Sequence, residues 1–457
     1  MQQRIWWLAA AGKFFEGMVV FMTGIALPLI AREFELTSAS SLGLVTAATL
    51  AGILIGATAL GGLADRFGRK TMFIVEMVIF TAFLIALPLT PSFGLLIVFL
   101  FGLGLALGCD YPTAHLVVSE AIPSRSRGRL VLGAFAFQAI GMLCGAAVAS
   151  LILISYPSVE AWRWMYATAI VPAVAVLIGR LTITESPHWL FTRGRREEAQ
   201  HAATRLLVRN PPYPKQVHLA ECEATSVPHG EEGETRRGFA ELFRGKNRRA
   251  TILASVPWFL QDLGTYGIGI FTPTILAASF GHQRENAQHL SDVIAKDILA
   301  AEGTAFIDLL FLVGIVFAIL LTDRLGRIRL QIFGFVGCAL GLAIAALSSS
   351  YTGSTQMIMI FSGFMLFNFM TNLGPNAQTY LIAGEVFPTA IRGKGAGFAA
   401  SFAKMGAVAT AFLFPFLLDA IGQQALLYAL VAAFLLGAVV TWAYRIETKG
   451  KSLESAD

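Results

Sequence analysis

The chain has 457 residues, of which 56% are hydrophobic and 14% charged, with a formal net charge of +5. A mean hydropathy of +0.66 places it among proteins that cross a bilayer many times. No nucleophile–base pair or phosphate-cradling Gly-rich loop points to an enzyme, and the positive charge reads as a topology signal, not as a nucleic-acid surface.

Twelve apolar runs, each long enough to cross about 30 Å of hydrocarbon, lie near 14–31, 42–63, 71–90, 94–118, 130–154, 163–182, 251–275, 305–322, 330–348, 356–382, 395–417 and 424–443. With these spans the external loops hold only Arg32, Arg163, Arg284 and Lys296 among the basic residues, and Lys404 sits inside a span. The positive-inside rule then puts both termini and the central loop in the cytoplasm of a plasma or inner membrane. No cleavable signal peptide is expected, because the first apolar segment is too long and runs directly into the body of the protein. Cys109, Cys144 and Cys338 fall in spans and Cys222 in the central loop, a pattern that offers no disulfide framework and no metal spacing. No cofactor or metal is expected.

The expected organisation is an N-terminal six-helix bundle over 1–182, a cytoplasmic linker over 183–250 and a C-terminal six-helix bundle with its tail over 251–457. The linker holds Pro211-Pro212, a Glu-rich patch at 231–234 and many arginines. It is too polar to build a core of its own. The segment 276–304 reads as an unusually long external loop.

Two pairs of motifs repeat at near-constant offset. Gly62-Leu-Ala-Asp65-Arg66-Phe-Gly68-Arg69-Lys70 is echoed by Leu320-Leu-Thr-Asp323-Arg324-Leu-Gly326-Arg327, and Glu120-Ala-Ile-Pro123 through Arg127 by Glu385-Val-Phe-Pro388 through Arg392. Such duplication marks a membrane protein built of two like halves around a midplane site. Asp65, Arg66, Arg69, Glu120, Arg127, Asp323, Arg324, Arg327, Glu385 and Arg392 form the expected conformational gate. Their charge-assisted bonds link the bundles in one state and release them in the other. These loops resemble the signature of the major facilitator superfamily. Glu185-Ser-Pro187-His-Trp189-Leu and Glu447-Thr-Lys-Gly450-Lys-Ser-Leu-Glu454 resemble its sugar-porter branch. The resemblance implies an all-α membrane protein of twelve helices in two pseudo-symmetric bundles.

Ionisable residues inside spans are costly and mark function by default. Here they are Glu16, Glu76, Asp110, Asp262 and Lys404, with Asp308 nearer the surface. Asp110-Tyr111-Pro112 puts a carboxylate and a phenol together before a helix-loosening proline. Trp258, Asp262 and Tyr266 share one helix face, and Asn368, Asn372 and Asn376 repeat that spacing around Gly374-Pro375. Gln138 adds an amide. Other readings stay open: Trp258 fits an interfacial anchor, Glu16 a partner for Lys13, Asn376 a ligand for freed backbone carbonyls, and Lys404 a salt bridge to a buried carboxylate.

More narrowly, Gly68-Arg69-Lys70 through Glu76, Asp110-Tyr111-Pro112, Gln138, Trp258-x3-Asp262-x3-Tyr266, Asn372-Leu-Gly374-Pro375-Asn376 and Lys404-Met-Gly406 resemble the phosphate:proton symporters of fungi and plants. The resemblance implies solute binding by Tyr111, Gln138, Trp258, Asp262, Tyr266 and Asn372 or Asn376, and a proton route through Glu16, Glu76 and Asp110. Lys404 is expected to compensate the anion's charge. The chain departs from the pattern at Val19, where the family has a second acidic residue, at Cys109 and at Gln378. The expected function is proton-coupled import of a small polar solute, phosphate first, by a monomer whose partners are its substrate, protons and the bilayer. The rivals are a sugar or organic-acid symporter and a transport-poor nutrient sensor.

Overall fold

The computed structural model describes residues 1–60, 63–121, 127–207, 239–281, 290–388 and 391–449. Cys222, the Glu-rich patch at 231–234 and the chain beyond 449 lie outside the described residues, as do the side chains of Asp65, Tyr111, Glu120, Arg127 and Arg392.

Backbone groups in hydrocarbon must be satisfied within the chain, which leaves helices as the economical solution for these runs. The first half consists of α1 (Gln2–Glu33), α2 (Ala39–Ile55, extended by a π-helical turn), α3 (Arg69–Ala86), α4 (Phe93–Ala121), α5 (Phe137–Ser155) and α6 (Ile170–Leu181). Short helices Arg127–Phe135 and Ala161–Ala167 lead into α5 and α6. The second half consists of α7 (Gly245–Gly281), α8 (Leu290–Leu325), α9 (Arg327–Leu347) and α10 (Gly353–Leu373, resumed after Gly374 as Pro375–Glu385). The helical run Arg392–Ala443 turns at Gly422, whose φ of 77° divides it into α11 and α12. The described part of every expected span is therefore helical apart from short turns, at Ala136, Thr168, Ala169 and Gly374 among others. Between the halves, the linker contributes helices Pro187–Thr192 and Arg196–Leu207 and a 3-10 turn at Phe239–Phe243.

One expectation is corrected. The long external loop at 276–304 is mostly helix, because α7 runs on to Gly281 and α8 already begins at Leu290. The polar residues Lys296, Asp297 and Glu302 break the hydropathy of that stretch without breaking its helix. Asp308 consequently sits well inside α8 and is 4% exposed, not near the surface.

The duplicated motifs fold alike. Gly68 (φ 103°) and Gly326 (φ 92°) hold backbone conformations that L side chains rarely adopt, and each lies against a carboxylate. A Cβ would meet Glu185 Oε2 at 2.5 Å in the first case and Glu447 Oε2 at 2.7 Å in the second. Glu185 Oε1 accepts from the Lys70 amide at 3.0 Å, and Glu447 accepts from the amides of Arg327 and Ile328 at 3.1 and 3.3 Å. Both acids thus satisfy orphan donors at a positive helix end. That explains why each half ends on a glutamate motif.

The two halves touch toward both faces. Near the motif loops, Phe135 stacks on Tyr380 at 5.2 Å, and Leu132 and Ala136 pack with Ile315, Ala318, Ala377 and Leu381. Toward the opposite face, Thr46 donates to the Ala411 carbonyl at 2.7 Å, joining α2 to α11. The centre lies between these two sets of contacts.

Candidate functional site

At that centre, α1, α5, α7 and α11 bring six polar side chains together. The Lys404 ammonium donates to Asp262 Oδ2 at 3.1 Å and to the Tyr266 hydroxyl at 2.6 Å, and lies 3.8 Å from Glu16 Oε1. Tyr266 in turn donates to Glu16 Oε1 at 3.1 Å, and the Gln138 amide approaches both at 3.4 and 3.5 Å. The other oxygen of Glu16 takes the Lys13 ammonium at 2.6 Å. All are nearly fully buried. Two ammonium groups face two carboxylates, so the cluster is neutral when all four are ionised. Phe21 stacks on Tyr266 at 5.5 Å, and Trp258 meets the edge of Tyr380 at 6.1 Å. Trp258 is buried, so it is not an interfacial anchor.

The alternatives left open by the sequence coexist here. Glu16 does pair with Lys13, and Lys404 does bridge a buried carboxylate, yet both also meet Tyr266. The asparagines take another course. Asn368 donates to Asp308 Oδ1 at 3.1 Å, Asn372 to the Phe311 carbonyl at 2.8 Å, and Asn376 to Asn372 Oδ1 at 2.7 Å. They form an amide ladder that ties α10 to α8.

Glu76 and Asp110 lie apart from that centre, within the first half. Arg180 donates to Glu76 Oε1 at 3.1 Å and to Asp110 Oδ1 at 2.6 Å. Its guanidinium also reaches the Phe73 carbonyl at 2.7 Å and lies 3.5 Å above the Phe73 ring. Here two buried carboxylates share one cation, so a proton on either balances the charge. Asp110 presses against α1, where a Cβ at Gly12 would meet Asp110 Oδ2 at 1.9 Å.

Sequence reasoning missed Arg180 and treated Lys404 as the only deep cation. Arg180 is 1% exposed and Lys13 8%. The signal was present: Arg180 falls inside the expected span 163–182, but a basic residue near a span's end reads as a topology charge.

Of the expected gate residues, Arg327 bonds Glu385 through Nε at 3.2 Å and Asp323 through a terminal nitrogen at 3.2 Å. Glu385 also accepts from Thr448 at 2.5 Å. These bonds stay within the second half instead of crossing between bundles. Arg69 is buried and caps the Ala64 carbonyl at 3.2 Å, whereas Arg66 and Arg324 are exposed.

A family model described as "Sugar (and other) transporter" matches residues 6–457. The chain belongs to that family. Its fold is that of the major facilitator transporters: the proton:xylose symporter XylE of Escherichia coli superposes with a TM-score of 0.76, covering 100% of this chain and 98% of that one at 21% identity. The niacin transporter NiaP of Acinetobacter baylyi is 28% identical over 98% of this chain and 95% of its own length. A Schizosaccharomyces pombe protein whose name proposes an inorganic phosphate transporter is 28% identical over 91% of this chain and 79% of its own. Family members therefore carry different solutes. The chain is a multi-pass membrane transporter and not an enzyme.

Proposed function

We propose that this transporter is a proton-coupled symporter that imports a small polar anion by alternating access, inorganic phosphate being the first candidate. It works as a monomer in a plasma or inner membrane, with both termini cytoplasmic. The observation that carries the reading is the neutral cluster of Lys13, Lys404, Glu16 and Asp262 shared between the halves. An anion entering a balanced, buried site brings an excess charge that low dielectric penalises. A proton on Asp262 removes that excess and frees the Lys404 ammonium to hold the anion. Anion and proton then favour each other's binding, which is coupling in the thermodynamic sense.

In this reading Gln138, Tyr266 and Lys404 contact the solute with Asp262 as protonated donor, Trp258 supplies an aromatic wall, and Tyr111 keeps the solute-binding role that the resemblance implies. Asn372 and Asn376 orient the second half's side of the site through their ladder to α8. Glu16 passes a proton by way of Tyr266, and Glu76 and Asp110 hold one beside Arg180. Loss of the proton re-forms the Lys404–Asp262 pair and expels the anion. The motif loops at Asp65, Arg69, Arg127, Asp323, Arg327, Glu385 and Arg392 stabilise one state of the rocking motion.

The direct test is uptake of labelled phosphate by proteoliposomes, with and without an inward proton gradient; the reading expects accumulation only with the gradient. A second reading, a flat organic anion, is favoured by the aromatic rings of Trp258, Tyr380 and Phe21 around the cluster. The names of relatives that carry niacin or xylose supply its competitors: nicotinate and xylose are offered with phosphate. Uptake of nicotinate without phosphate uptake selects the organic anion, and xylose uptake indifferent to Lys404 selects a sugar.

A further inference from the structure

Asp308 is a buried carboxyl group that neither cluster above uses; Asp297, nearer the outer end of α8, is another. Asp308 lies inside α8, 4% exposed, and accepts one hydrogen bond, from Asn368 Nδ2 to Oδ1 at 3.1 Å. Among the described residues it makes no ion pair. The surroundings explain why. On α10, Gly353–Leu373 contains no ionisable residue, and on α5, Phe137–Ser155 contains only Cys144. The membrane part of α7 contributes Asp262 and Tyr266, both held by Lys404. The only ionisable groups of α9 are Arg327 and Arg329 at its motif end and Cys338, which engages Thr371. On α1, Lys13 pairs with Glu16, which also meets Tyr266 and Lys404, while Arg4 stands at the start of the helix and Arg32 and Glu33 at its far end. Along α8 itself the cation nearest on the outer side is Lys296, about 18 Å away at 1.5 Å per residue. An ionised carboxylate with one neutral amide partner and no cation is a state that a protein interior strongly disfavours. A neutral acid suits the place: its carbonyl oxygen takes the Asn368 amide and its hydroxyl carries the proton.

We propose that Asp308 is a proton-binding site of the second half, loaded and unloaded during the transport cycle. The proposal rests on the symport reading and adds a proton site independent of the Arg180 cluster, which lies in the first half. The α8–α10 amide ladder gives it a means of action. Asn368 is the first rung, followed by Asn372 and Asn376, so ionisation of Asp308 changes the bond that holds these helices in register.

Two measurements test it. Infrared pH titration of the purified full-length protein needs no solute. The expected result is a protonated-carboxyl carbonyl band that disappears as pH rises, is absent from Asp308→Asn and is displaced in Asp308→Glu. The Glu variant keeps the assay informative if Asp308→Asn does not fold. A band that neither substitution alters, or that persists at every pH, overturns the proposal. In proteoliposomes with phosphate as probe, each coupled proton multiplies accumulation about tenfold per unit of pH gradient. Asp308→Asn should lose about that factor while solute exchange without a gradient persists. Unchanged accumulation in Asp308→Asn overturns the coupling role, whereas a parent protein that accumulates no phosphate counts against the symport reading and leaves the infrared test to decide on Asp308.

Discussion

The cluster around Lys404 and the cluster around Arg180 are both buried assemblies of acids and bases, yet they differ in two respects. The first joins α1 and α5 of one half to α7 and α11 of the other, and its charges balance. The second lies wholly within the first half, and its two acids outnumber its base. Rocking of the halves must break the first and leaves the second whole. In the symport reading proposed above this becomes a division of labour: the shared cluster would sense solute, and the one-sided cluster would keep a proton wherever the halves stand.

The sharpest way to break this comparison is Lys404→Met. Removing one partner of a buried pair costs about 3–5 kcal/mol, so thermal stability should fall and uptake should vanish. Lys404→Met combined with Asp262→Asn should recover much of the stability but none of the transport. If the double variant is no more stable than the single, Lys404 is not the charge partner of Asp262. Lys404→Gln, read by calorimetry, should depress binding of phosphate far more than binding of an uncharged analogue.

Next in size is the Arg180 cluster. Arg180→Met strands two carboxylates and should destabilise the first half by a few kcal/mol, and adding Asp110→Asn should relieve part of that loss. Asp110→Asn alone should retain solute exchange and lose accumulation against a gradient. Equal accumulation by Asp110→Asn and the parent would remove this cluster from the proton route. A smaller effect, about 1–3 kcal/mol of binding, is expected for Asp262→Ala, and unchanged affinity would take Asp262 out of the site.

Smallest of all are the two helix ends. Glu185→Gln and Glu447→Gln each weaken a carboxylate at a helix N-terminus, worth about 0.3–1 kcal/mol. Their unfolding shifts should be similar, because the two halves use the same device. A large shift in one alone would show that the duplicated motifs have diverged in role.

Much of the fold was legible because hydropathy and duplication are local or periodic signals. Asp65 and Asp323 stand 258 positions apart in like surroundings, and each apolar run declared its helix. Trp258, Asp262 and Tyr266 shared a face by spacing alone. What the sequence did not disclose was partnership across distance. Arg180 meets Asp110 from 70 positions away and Lys404 meets Asp262 from 142, and no periodicity encodes either contact. Asp308 was misplaced for a different reason: charged residues at 296, 297 and 302 lowered the hydropathy of a helix that continues through them. The asparagines of α10 looked like solute ligands because spacing shows a stripe but not what it faces.

The central claim is that anion and proton enter the shared cluster together. The most direct measurement is the pH change of a weakly buffered solution of the purified protein on adding saturating phosphate, with binding followed in parallel by calorimetry. The account predicts proton uptake accompanying binding, and its loss in Asp262→Asn. Phosphate binding with no proton uptake, or uptake undiminished in Asp262→Asn, would contradict it.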